Sequence, residues 1–184
     1  MNISRITHQD IITFWFKTLE PKQWFIKDAA LDKHISQHFH VIHDAAWRGE
    51  LYMWRETPEG RLAEIIVLDQ FPRNMFRDTV KAFASDNLAL ILAQEAIRQG
   101  DDQRIDIEQR AFMYMPYMHS ESAMIHKQAE QLFSQPGAEY NYEFELKHKA
   151  IIDKFGRYPH RNAILGRTST PEEIKFLQQP DSSF

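Results

Sequence analysis

The 184-residue chain has 43 % hydrophobic residues and a formal charge of −4, which excludes disorder for most of its length and gives no global reason to bind nucleic acid. It contains no cysteine, which excludes a disulfide framework, a thiolate nucleophile and cysteine-ligated zinc or iron–sulfur. No apolar run approaches the ~20 residues that cross a bilayer, and the opening MNISRITHQDIITFWFK lacks the small-residue cleavage site of a signal peptide, so a cytoplasmic protein with no membrane and no nucleic acid among its partners is expected.

Thr7 can cap a short first helix in which Ile11, Ile12, Trp15 and Phe16 form an apolar stripe, ended by Pro21. Asp28 starts a longer helix, with Leu31, Ile35, Phe39, Ile42 and Ala46 on one face and Gly49 at its end. The ETPEG stretch around Pro58 and Gly60 reads as a turn. The run LAEIIVLDQF combines strand propensity with the absence of any pairing hairpin; it is read as a helix ended by Pro72. Asp78 or Thr79 is expected to cap the next helix, which continues to Gly100. A short helix over Ile107 to Met113 is expected to stop at Pro116. Ser120 or Ser122 caps another, running through AMIHKQAEQLF to the Pro136-Gly137 turn. Tyr142 to Phe155 follows, with Phe144, His148, Ile151, Ile152 and Phe155 on one side and Gly156 at its end. Thr170-Pro171-Glu172-Glu173 is a capping box with proline at the first helical position. Helices joined by short connections predict an all-α fold, a single domain over 1–184 of antiparallel helices, with 179–184 as a frayed tail.

Three polar segments break this apolar pattern: DQFPRN (69–74), PYMHSE (116–121) and KFGRYPHRNAILGR (154–167). The last holds Lys154, Arg157, Arg161 and Arg167 and no acid. Arginine pairs bidentately with carboxylate or phosphate and stays charged at every working pH, while His160 titrates near neutrality and suits proton transfer. The same residues also fit a structural role, bonding orphan carbonyls at helix ends. His119 and Glu121 form an H-x-E pair, but the zinc deaminases that use one also need a Cys-x-x-Cys partner, which this chain lacks. His34 and His38, at i and i+4, suit a metal by spacing. HISQH, however, lacks the glutamate that a zincin places after its first histidine, so these read as ordinary histidines on a half-exposed helix.

Three stretches, LAEIIVLDQFPRNMFRDTVKAFASD (62–86), YMPYMHSE (114–121) and HKAIIDKFGRYPHRNAILGRTSTPEE (148–173), carry a resemblance to the bacterial domain-of-unknown-function 924 family. Tyr158, where phenylalanine is usual, is a small departure. The resemblance implies an all-helical fold similar to tetratricopeptide-repeat proteins, with degenerate helical hairpins; it implies no activity. It favours the three polar segments over the histidine cluster as the place to look.

The resulting expectation is a small-molecule site where the three segments meet. Arg73, Arg157 and Arg161 would hold a carboxylate or phosphate, Asn74 and Asn162 would orient it, and His119, His160, Asp69 and Glu121 would supply acid–base catalysis. The alternative is a tetratricopeptide-like module whose basic segment clamps an acidic peptide. Cofactor, metal and oligomeric state are not specified by the sequence.

Overall fold

The structure, a computed structural model, describes residues 6–180, 182 and 183. Among these residues there are helices and turns and no strand, as the all-α reading expects. The chain resolves into two compact units, one of residues 1–77 and 81–116, the other of 78–80 and 117–184.

The first unit is built on α3 (Pro58–Asp69), in which Leu62, Ala63, Ile65, Ile66, Val67 and Leu68 have no solvent exposure. This run of buried side chains faces every side of the helix, and α3 packs against α1 (His8–Thr13), α2 (Ala29–Trp47) and α5 (Asp86–Arg98). Each fully buried Leu or Ile contributes about 1.5–3 kcal/mol, so this helix holds the unit together. An aromatic layer lies beside it. A π-helical turn over Phe14–Thr18 presents consecutive aromatics, and the Trp15 ring lies 5.7 Å from both Phe71 and Phe112.

Local chemistry sets the helix starts. Thr7 and Asp10 exchange a capping box, and the Asp28 carboxylate accepts from the backbone N–H groups of Ala30 and Leu31. Thr57 does the same for α3, accepting from Gly60 N, with Pro58 at the first helical position. The ETPEG stretch is therefore a helix start and not a free turn. Gly60 is needed there, because a Cβ would sit 1.9 Å from the Trp54 carbonyl oxygen. Pro72 likewise begins a helix: α3 stops at Asp69 and α4 (Phe71–Met75) carries Pro72 in its first turn, where the missing N–H is not required.

Two further boundaries differ from expectation. Asp78 has φ of 61°, outside the extended region that a capping residue adopts. The chain makes a 3₁₀ turn over Val80–Ala82, and α5 begins only at Asp86. Pro116 does not stop α6 (Ile107–Met118) but lies inside it; so close to the helix end it forfeits a single backbone bond.

The second unit contains α7 (Ala123–Phe133), α8 (Glu139–Phe155) and α9 (Pro171–Leu177). α7 packs on α8. Gly156, with φ of 68°, ends α8 in the left-handed conformation that lets the chain reverse. A 3₁₀ turn over Pro159–Arg161 follows, and the Thr170–Glu173 capping box starts α9. Of the 179–184 tail, residues 181 and 184 lie outside the described residues; the Ser182 hydroxyl donates to the Leu177 carbonyl.

Candidate functional site

The reversal after Gly156 is held by paired charges. Arg157 forks onto Glu173 at 2.7 and 2.8 Å and reaches the Thr168 carbonyl. Arg167 forks onto Glu121 at 2.6 and 2.9 Å and donates to the Tyr158 carbonyl and to Asn162 Oδ1. Asn162 is fully buried and donates to the Ser169 hydroxyl. Glu121 also accepts the Tyr158 N–H at 2.7 Å. Burial works to raise the Glu121 pKa, but Arg167 and that N–H outweigh it and hold the carboxyl below its ordinary value. The Arg157 fork and the Thr170 N–H bring Glu173 down to about 2 against a smaller opposing effect of burial. Arg157, Glu121 and Asn162 thus lie in a closed frame that fixes the loop.

Within this frame stands Tyr158, fully buried. The rings of His160, His148 and His126 lie 5.5, 5.7 and 6.3 Å from its own, and the Arg161 guanidinium lies over it at 4.7 Å. Arg161 also donates to the His119 carbonyl. The Tyr158 hydroxyl donates to the Met118 carbonyl and lies 3.1 Å from His126 Nε2. His126 is buried completely: Nδ1 is 2.7 Å from Glu145 Oε1 and Nε2 is 2.8 Å from the Ser120 carbonyl. A carbonyl only accepts, so Nε2 carries a proton. Burial pushes the Glu145 pKa up against the pull of His126. His148 donates from Nδ1 to the Phe144 carbonyl, and its pKa is pushed down to about 3, by burial first and then by repulsion from His119, His126 and His160.

The structure thus brings His119, Glu121, Arg157, His160, Arg161 and Asn162 together within the second unit. Asp69, Arg73 and Asn74 lie in the first. There the buried Asp69 carboxylate accepts from Gln70 and lies 3.5 Å from Arg73. Arg73 forks onto Asp86 at 3.0 and 3.1 Å. Asn74 donates to Asp32, the carboxylate that Arg77 also grips. Among the described residues no group of three or more His, Asp or Glu is arranged to hold a metal ion.

Sequence reasoning passed over Glu145, and it noted Tyr158 and Arg167 without giving either a place in the site. Glu145 had a signal: it lies three residues before His148, on the face of α8 that holds the apolar side chains. Nothing local pairs it with His126, 19 residues away.

The fold and these contacts define an all-helical protein whose second unit gathers titratable side chains around a buried tyrosine. The chain belongs to the family described as bacterial protein of unknown function (DUF924), whose model matches residues 11–181. It is similar to a solved structure of a protein of unknown function from Agrobacterium tumefaciens, at 44 % identity and a TM-score of 0.88, covering 93 % of this chain and 96 % of that one. No curated protein matches it. Among the described residues no helix is long and apolar enough to cross a membrane.

Proposed function

We propose that this protein binds a small anionic molecule, a carboxylate or a phosphate, in its second unit. Arg161 grips the anion, and His119 and His160 are placed for proton transfer to it. The observation that carries this reading is the gathering of His126, His148, His160 and Arg161 about Tyr158. Packing several ionisable side chains into an interior opposes stability, and such clusters concentrate at functional sites. Arg157 and Asn162, which the sequence alone offered as ligand contacts, and Glu121, which it offered for acid–base catalysis, are assigned to the frame that orients Arg161 and His160, the support a binding constellation requires. The proposal rests on the second unit alone, so Asp69, Arg73 and Asn74 carry no part of it.

The test is a thermal-shift titration with inorganic phosphate, small mono- and dicarboxylates and acidic peptides, on the wild type and on Arg161→Lys and His160→Gln. A ligand at ~100 times its dissociation constant adds about 2.7 kcal/mol, several degrees in Tm. The expected result is a shift with a small anion that Arg161→Lys, melting near the wild type, loses. A shift that survives in both variants, or none with any small anion, overturns the proposal. A shift with acidic peptides alone would make the protein a peptide-binding module.

A further inference from the structure

Outside the second unit, the side chains with unused ligating capacity lie on α2. His34 and His38 are exposed on one face of that helix, and their rings are stacked with centroids 4.1 Å apart and planes inclined by 24°. His38 Nδ1 lies 2.9 Å from the His34 carbonyl. The carbonyl only accepts, so the proton sits on Nδ1 and Nε2 is left with the lone pair. An imidazole that donates one ring N–H to a backbone carbonyl has its tautomer and orientation set for metal ligation through the other nitrogen. No described residue hydrogen-bonds His38 Nε2 or either ring nitrogen of His34. The ring of Phe14 stacks on His34 at 5.5 Å, limiting the positions that the ring can take.

We infer that His34 and His38 form a two-histidine site for a divalent transition-metal ion of the copper, nickel and zinc class. Two imidazole nitrogens each ~2.0–2.1 Å from one tetrahedral ion lie about 3.3 Å apart; the exposed His34 ring turns out of the 4.1 Å stack to bring its in-plane lone pair onto an ion held by His38 Nε2. Water completes the coordination, since no described third histidine or carboxylate joins the pair. The residue following His34 is Ile35, wholly buried, so the site has no neighbouring general base and is one of binding rather than hydrolysis. Imidazole ligands select copper, nickel and zinc over magnesium and calcium, with copper tightest. This site stands independently of the anion site in the second unit.

The experiment is calorimetric titration of the full chain, free of any affinity tag, with copper(II) and zinc(II) chlorides, together with electron paramagnetic resonance of the copper form. His34→Ala and His38→Ala are each expected to weaken binding about tenfold or more, and His40→Ala to leave it unchanged. His40 is the matched control, for it too turns Nδ1 to a backbone carbonyl, that of Ser36, but has no histidine four residues away. The copper spectrum should show two nitrogen ligands in the wild type and in His40→Ala. Absence of binding by either ion, binding undiminished in His38→Ala, or loss in His40→Ala equal to that in His38→Ala would each overturn the site.

Discussion

The two units are held together by different chemistry. The interior of the first is aliphatic and aromatic, organised on α3, and its buried acids sit beside permanent cations or hydroxyls. Glu64 is forked by Arg55, Asp101 is 2.9 Å from Arg61, and Asp102 accepts from the Tyr114 hydroxyl. The interior of the second contains Ile151, Ile152 and Tyr158 beside the ionisable side chains of His126, Glu145 and His148. A core of the first kind is damaged by cavities. One of the second kind is poised to respond to protons. All four tryptophans, Trp15, Trp24, Trp47 and Trp54, belong to the first unit, so tryptophan fluorescence follows that unit while far-ultraviolet circular dichroism follows both.

The strongest break in the comparison comes from the buried residues that define each unit. Phe71→Ala, at a position with no exposure, should cost about 3–5 kcal/mol through the cavity it leaves, read as a lower urea midpoint by fluorescence. Glu145→Ala strips His126 of its buried partner and should cost about 3–5 kcal/mol as well, but in the helical signal, with fluorescence following late. Coincident transitions by both probes in both variants would mean that the units unfold as one and would remove the contrast.

Acid gives the next effect. His148 has a folded pKa of about 3 against an unfolded value near 6.5. Between those values the unfolded chain binds the extra proton, so stability falls as pH falls below about 6.5, by about 1.4 kcal/mol per pH unit, or about 2 kcal/mol at pH 5. Glu145 acts in the opposite sense: its raised pKa favours the folded state below its unfolded value, and that contribution is lost as pH rises. His148→Phe should therefore flatten the acid limb measured by denaturant titration at pH 7, 6 and 5. An unchanged slope would show that His148 is not what makes the second unit acid-sensitive.

The smallest effect belongs to the exposed charges of the first unit. Glu95 and Arg98 form a bidentate pair, and Glu95 falls to about 2 through its hydrogen bonds to Arg98 and Gln99. Both groups are solvent-exposed, so Arg98→Ala should leave the urea midpoint unchanged within error. A measurable loss would show that surface pairing matters in the first unit and would narrow its difference from the second.

What the sequence reveals follows from how local each signal is. Thr7, Asp28 and Thr170 are legible as caps because the donor and acceptor lie within three residues. Thr57-Pro58-Glu59-Gly60 misleads because proline and glycine at a helix entrance have the composition of a turn; only the close approach of Gly60 to Trp54 distinguishes them. Asp78 misleads in the other direction, its backbone being set by surroundings that no capping pattern records. At the candidate site the basic segment stands out by charge. The division of labour within it does not, because Arg157 meets Glu173 across 16 residues and Arg167 meets Glu121 across 46.

The hydrogen between His126 and Glu145 has a further use. Both side chains are sealed from solvent, so it can trade with deuterium only when the surrounding helices part. Observed as a downfield resonance, its lifetime in heavy water would time the opening of the second unit under native conditions, at a single atom and without any added label.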